Sequence, residues 1–158
     1  MPNQHDARIV AAEITPLAGN PLPHHVRWPL AVGGVVLLCG LAIAAWAKPD
    51  PRGYGTHEHL GFGPCTFRVL FNRPCPSCGM TTSWCCMMRG DAFRAFHANA
   101  GGALLAAIAI PAAPWMLASA ARGRWWLKPP SCGWIAFGAS VVGIVTLTQW
   151  ILRLAHVV

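Results

Sequence analysis

Charge is what this sequence has least of. Asp, Glu, Lys and Arg make up 11% of its 158 residues, against roughly a quarter in an average soluble protein. The shortage is local: residues 28–47, 98–121 and 132–152 form runs of 20, 24 and 21 positions with no charged side chain. Each is long enough for a helix to cross a hydrocarbon core, which takes about 20 residues. Because no ionisable acid or base interrupts them, a proton-coupled transporter or pump is disfavoured. Also absent are a nucleophile motif, a phosphate-binding loop, a metalloprotease signature and paired acids on a span. No βαβ pattern surrounds the cysteines, which removes a thioredoxin fold. There is no internal repeat. The net charge of +7 comes from twelve basic residues spread over every loop, with no aromatic-basic stripe. Nucleic acid is therefore not an expected partner, and lipid headgroups are.

What remains is 54% hydrophobic, and the pattern predicts an all-α membrane protein. Three transmembrane helices are expected over 28–47, 98–121 and 132–152, with a Cys-rich loop and a short amphipathic interfacial helix between the first two, over 48–97. Residues 1–27 hold Pro2, Pro16, Pro21 and Pro23 and read as a flexible tail. The first run is too long, and starts too far into the chain, for a cleaved signal. Trp28 and Trp46 bracket it at headgroup depth, and His24 and His25 beside them read as interfacial residues. Gly33, Gly34 and Gly40 would let a second helix come close. Pro111 and Pro114 predict a kinked or locally unwound second span. Thr146, Thr148 and Gln149 offer bonds across helices in the third. Arg122, Arg124 and Lys128 make the short second loop basic without acids. It reads as cytoplasmic, so the Cys-rich loop reads as lying outside.

Seven cysteines are present. Cys39 and Cys132 lie in or beside apolar spans and read as small hydrophobes. The other five share the long loop. In "RPCPSCGMTTSW" a Cys75-Pro-Ser-Cys78-Gly turn aims two thiols at one point, and the glycine accepts positive φ. Two thiolates three apart are half of a tetrahedral site for zinc or another transition metal. No second Cys-x-x-Cys supplies the other half, so Cys65, His57, His59, His97 or Cys85 would have to. The same pair before a helix N-terminus would have its thiol pKa lowered, which suits thiol-disulfide redox chemistry by Cys75 and Cys78. Cys65 or Cys85-Cys86 would be the second pair. A third reading is a disulfide or metal staple without turnover, since proximal thiols outside the cytoplasm oxidise.

In "GTHEHLG", His57 and His59 would share a side if the chain were extended, with Glu58 pointing away. After the motif, Thr81, Thr82 and Ser83 are N-cap candidates. Cys85, Met88, Ala92 and Phe96 follow at helical spacing, with a break at Gly90 and a new cap at Asp91. Arg94 reads as an interface residue. Met87 and Met88 read as packing or membrane-facing rather than copper ligands.

Gly55, Thr56 and His57, then Cys65, then Cys75-Pro76, Cys78-Gly79 and Thr81, then Arg89-Gly90-Asp91, and Asn99 before an apolar span form a pattern. It resembles the DUF2752 family of small bacterial membrane proteins, and covers about a third of the chain. The resemblance implies a bacterial inner membrane location and ties Cys65 to Cys75 and Cys78 as one group. It names no function. Ala100 stands where proline commonly follows the asparagine in such proteins, so the break before the second span is less defined here. The expected metal ligands are thus Cys65, Cys75, Cys78 and His57. No catalytic residue is assigned outside the Cys75/Cys78 redox alternative. The expected partners are the lipid bilayer and a membrane protein partner or a second copy of the chain.

Overall fold

The computed structural model describes residues 21–155; of the tail expected over 1–27, residues 1–20 lie outside them, and the last four belong to the first helix. Seven helices are described: α1 His24–Trp46, α2 Thr56–His59, α3 Thr66–Phe71, α4 Met80–Met88, α5 Ala92–Ala98, α6 Ala100–Arg122 and α7 Cys132–Ala155. Three of them, α1, α6 and α7, are long and apolar enough to cross a membrane. The protein is therefore all-α, with three membrane helices and the Cys-rich segment between the first two. Helix α1 starts at His24, four positions before Trp28, and α7 continues to Ala155, past Leu152.

Helix α6 is the centre of the molecule. Its buried positions are small, including Gly101, Gly102, Ala103, Ala106, Ala109 and Ala113, the composition that lets membrane helices approach closely without a large apolar side chain between them. Against it α1 runs antiparallel. A Cβ on Gly33 would lie 2.7 Å from the Met116 side chain, and one on Gly34 2.9 Å from that of Leu117. Both glycines therefore mark the close approach expected of them. Leu41 packs with Ala109 and Ala113. At the far end the Arg27 guanidinium donates to the carbonyls of Ala120 (2.7 Å) and Ala121 (3.3 Å), closing the exposed C-terminus of α6. Helix α6 runs from Ala100 to Arg122 with Pro111 and Pro114 inside it. Of the expected kink or local unwinding, the unwinding does not occur.

Between α1 and α6 the chain builds a cap from four short helices. Gly90 at φ +75° ends one segment, and the Asp91 carboxylate accepts from the Arg94 N–H at 3.0 Å to start α5, as the helix-break-helix pattern predicts. The stripe differs from expectation after the break. Cys85 is fully buried, but Ala92 and Phe96 are exposed, because Gly90 resets the helical register. Nor does α4 lie alone at an interface: Cys85 and Trp84 pack against Ala44 and Ala47 at the end of α1. Arg89 completes the joint by donating to the carbonyls of Ala44 (3.3 Å), Ala45 (3.2 Å) and Cys85 (3.0 Å).

Helix α7 is attached differently. It has no buried residue, and it meets the rest of the protein near its last turns. A Cβ on Gly101 would overlap the Thr146 hydroxyl. The Gln149 amide accepts from the Ala100 N–H (2.7 Å) and donates to the Phe96 carbonyl (3.1 Å).

Candidate metal centre

The site is built on the turn that joins Cys75 to α4. The Cys78 N–H donates to the Cys75 carbonyl at 3.0 Å, and the Met80 N–H to the Ser77 carbonyl at 3.1 Å, so two overlapping turns bring Cys75 and Cys78 to one side. Gly79 at φ +85° follows. A Cβ there would sit 2.7 Å from the Gly53 carbonyl oxygen and closer still to that of Ala98, which only glycine avoids. The helix starts at Met80 with Gly79 as its N-cap. Thr81, Thr82 and Ser83 are thus inside α4 rather than capping it.

Three anchors hold this turn through its carbonyls. The Asn99 amide donates to the carbonyls of Pro76 (3.1 Å) and Cys78 (3.2 Å), while its oxygen accepts from the Gly102 N–H at 2.7 Å as the N-cap of α6. The Trp150 indole N–H donates to the Pro74 carbonyl at 2.8 Å. Arg153 donates to the carbonyls of Cys78 (3.2 Å), His97 (2.8 Å) and Ala98 (2.6 Å). Anchors on α6 and α7 thereby fix a loop that lies before both of them in sequence.

Opposite the turn stands α2. The Thr56 hydroxyl pairs with that of Thr82 at 2.7 Å and accepts from the Asp50 N–H at 3.0 Å. Both threonines are buried. The Asp50 carboxylate, also buried, takes the Arg52 guanidinium at 2.7 Å and His59 Nε2 at 3.1 Å. The Arg52 side-chain hydrogen bond is the largest of the effects that hold Asp50 well below the usual carboxylate range, against the opposing effect of burial.

Into the space between these walls Cys65 projects from the N-cap of α3. The ligand atoms of Cys65, Cys75 and Cys78 all lie within 4.8 Å of one another, and Cys65 Sγ is 3.6 Å from Cys75 Sγ. Four ligands set tetrahedrally at a Zn–S length of about 2.3 Å are about 3.8 Å apart. The spacing of the two sulfurs is thus that of neighbouring ligands on one ion. The cavity the three share, about 310 Å³, is also lined by His57 and by Met80, Thr81 and Thr82 from the first turn of α4, whose dipole favours negative charge. His57 is on the wall but is not among the groups within 4.8 Å.

The thiols are unlike one another. The backbone N–H of Arg68, which bonds the Cys65 carbonyl at 2.9 Å, does most to draw the Cys65 thiol below its ordinary range, against the effect of burial. Burial, followed by the neighbouring Cys65 side chain, pushes Cys75 up to about 11. The thiol favoured as thiolate is therefore Cys65, at its own helix start, rather than Cys75 in the motif. Burial likewise raises Cys85 and Cys86.

The other expected ligands lie elsewhere. His59 is bound to Asp50, and because Thr56–His59 is a helical turn rather than extended chain, it does not share a side with His57. Glu58 turns toward Arg52, 3.4 Å away. His97 is exposed and belongs to other cavities. Cys85 packs with Ala44 and Ala47, and Cys86 with Ala95 and Ala103, so they serve neither as a ligand nor as a second pair at this cavity. Cys39 and Cys132 are exposed on their membrane helices. Met88 packs at the end of α1 and Met87 beside Cys86. Arg94 is exposed and stands 3.8 Å from Asp91.

Sequence reasoning missed the Asp50 hub, the Thr56–Thr82 pair and the clamps from Trp150 and Arg153. An asparagine directly before an apolar run is an N-cap signal, which could have assigned the role of Asn99. Nothing local marks a tryptophan or arginine 75 residues away as a partner of the motif.

No curated protein and no solved structure matches the chain. A family model described as a protein of unknown function, DUF2752, does match, over residues 65–113. The match starts at Cys65, after the Gly55-Thr56-His57 part of the pattern, and ends inside α6. From the first clustered cysteine into its second membrane helix, about a third of its length, the chain is similar to the DUF2752 family.

Proposed function

We propose that this chain is a non-enzymatic membrane protein whose extramembrane cap is organised by a transition metal, zinc by chemistry, held by Cys65, Cys75 and Cys78. His57 is the ligand-type side chain available for the fourth position. The observation that carries the reading is the convergence of three sulfurs from two separate segments within 4.8 Å of one another in one cavity, with Cys65 and Cys75 at the 3.6 Å spacing of neighbouring ligands. When bound, such an ion supplies cross-linking of α3 to the Cys75–Cys78 turn and neutralises thiolate charge. The residues around it do the rest: Gly79 permits the turn, Asn99 and Arg153 hold its carbonyls, and Thr56 and Thr82 join the two walls. In this proposal the cap is a fixed surface offered to a membrane protein partner or a second copy, on the side away from the basic loop of Arg122, Arg124 and Lys128.

The alternative is thiol-disulfide redox chemistry. The structure-specific form of it joins Cys65 to Cys75, the pair with the 3.6 Å separation, rather than Cys75 to Cys78.

Native mass spectrometry of protein purified anaerobically in detergent separates the two. The expected result is one zinc per chain, removed by chelator, with all three cysteines alkylated only after removal. Cys78→Ser should leave less than a tenth of the chains loaded. Because zinc must displace the thiol protons, and the free Cys75 thiol releases its own only near pH 11, loading should weaken by at least about tenfold per pH unit on acidification. A metal-free chain lacking two hydrogens would favour the disulfide. A metal-free chain with all three thiols alkylatable would sink both readings.

A further inference from the structure

A second cavity, about 480 Å³, lies on the other side of Cys78, between the cap and the last turns of α7. Its charged lining is basic: Arg52, Arg68 and Arg153 face it, with His97, Tyr54 and the apolar Leu152. Arg52 is neutralised by Asp50. Arg68 and Arg153 have no carboxylate within ion-pair distance among the described residues. Arg68 lies over the Tyr54 ring at 3.7 Å, which fixes its position without cancelling its charge. Arg153 is held by three carbonyl oxygens, all neutral. Two fixed, uncompensated guanidinium groups on one cavity are a site for an anion, and phosphate suits their planar donors.

The surroundings select which phosphate. Helix α7, which supplies Leu152, has no fully buried residue, and Leu152 itself is exposed, so this wall opens to lipid. Helix α3, which supplies Arg68, leaves Val69, Leu70 and Phe71 exposed at 67%, 70% and 60%. That is an apolar face on an extramembrane element, which in a membrane protein rests on the bilayer. Basic side chains and an apolar one thus line the same cavity, the combination that suits headgroup depth. We propose that it binds the phosphate of an anionic phospholipid, with the acyl chains lying along Leu152 and the outer face of α7.

The test is native mass spectrometry of the full chain released from phosphatidylcholine nanodiscs containing graded phosphatidylglycerol. One phosphatidylglycerol should be retained in preference to phosphatidylcholine. Arg68→Gln should weaken that retention about fivefold, the contribution of one basic residue near an anionic surface, and Arg68→Lys should restore most of it. Arg153→Lys, which keeps the charge but not the fork of donors, provides a second variant if Arg68→Gln fails to fold. Its retention should fall between wild type and Arg68→Gln. Equal retention of the two lipids would overturn the assignment, as would undiminished retention in both Arg68→Gln and Arg153→Lys. So would saturation by inorganic phosphate with no lipid preference, which would make the site one for a soluble anion.

Discussion

At the scale of residues, what distinguishes the cysteine turn is how little freedom its neighbours have. Gly79 is the clearest case, because two separate conditions demand glycine: positive φ, and backbone oxygens of Ala98 and Gly53 where a Cβ would be. Gly53 meets only the first, at φ +77° with nothing within 4 Å. Gly53→Ala should therefore cost only the left-handed penalty, about 1–2 kcal/mol. Gly79→Ala should cost at least twice that, because the obstruction is backbone and cannot rotate away. Thermal melts of both variants in the same detergent give the comparison, and equal losses would show that the packing around Gly79 relaxes. The sequence made the need for glycine after Cys78 legible through turn chemistry. It could not show the second condition, since Gly53 and Ala98 approach only once the cap has closed. The same holds for Asp50 and Thr56: both sit in glycine- and proline-rich chain that reads as irregular, and become buried only against α4.

At the scale of elements, apolar length alone located the three membrane helices, since lipid leaves no other way to satisfy the backbone. The short helices were harder. Helix α4 and the break at Gly90 followed from spacing and capping. Helix α3 has six residues that include Val69, Phe67 and Phe71, a composition with no helical bias, and α2 is a single turn between glycines. Neither is marked locally, and because Thr56–His59 is a helical turn, the shared side that an extended chain would give His57 and His59 does not arise. What locks α4 to the membrane helices is Arg89, whose guanidinium occupies carbonyls at the ends of both α1 and α4. Replacing it with alanine leaves those C-terminal carbonyls without their partner. Arg89→Ala should lower stability by about 1.5–3 kcal/mol, the range for hydrogen bonds made by a charged donor. Arg89→Lys should recover only part, because an ammonium cannot span three carbonyls as the fork does. The measurement is the melting midpoint in detergent. A full recovery by lysine would mean that charge at the helix ends, rather than geometry, makes the joint.

For the whole molecule, the arrangement is asymmetric across the membrane. The end bearing the basic loop is joined by Arg27 of α1, which donates to the Ala120 carbonyl of α6, and by the Leu22 N–H to the Gly123 carbonyl at 2.9 Å, and among the described residues α7 makes no hydrogen bond there. At the other end α7 reaches the cap through Gln149, Trp150 and Arg153, so the third membrane helix acts as a strap across the cysteine turn. If that is its structural work, weakening the strap should loosen the turn without unfolding the α1–α6 pair. Trp150→Phe is the mildest way to do it. An aromatic ring, smaller than the indole, stays, while the hydrogen bond to the Pro74 carbonyl is lost, worth about 1 kcal/mol. In metal-free protein the alkylation rate of Cys75 should rise about fivefold, the factor that energy corresponds to if the turn must open for the reagent to reach the thiol. The melting midpoint should hardly move, and Cys39, exposed on α1, should react as before. A fall in melting midpoint matching the gain in Cys75 reactivity would instead make α7 part of the core, held by more than its last turns.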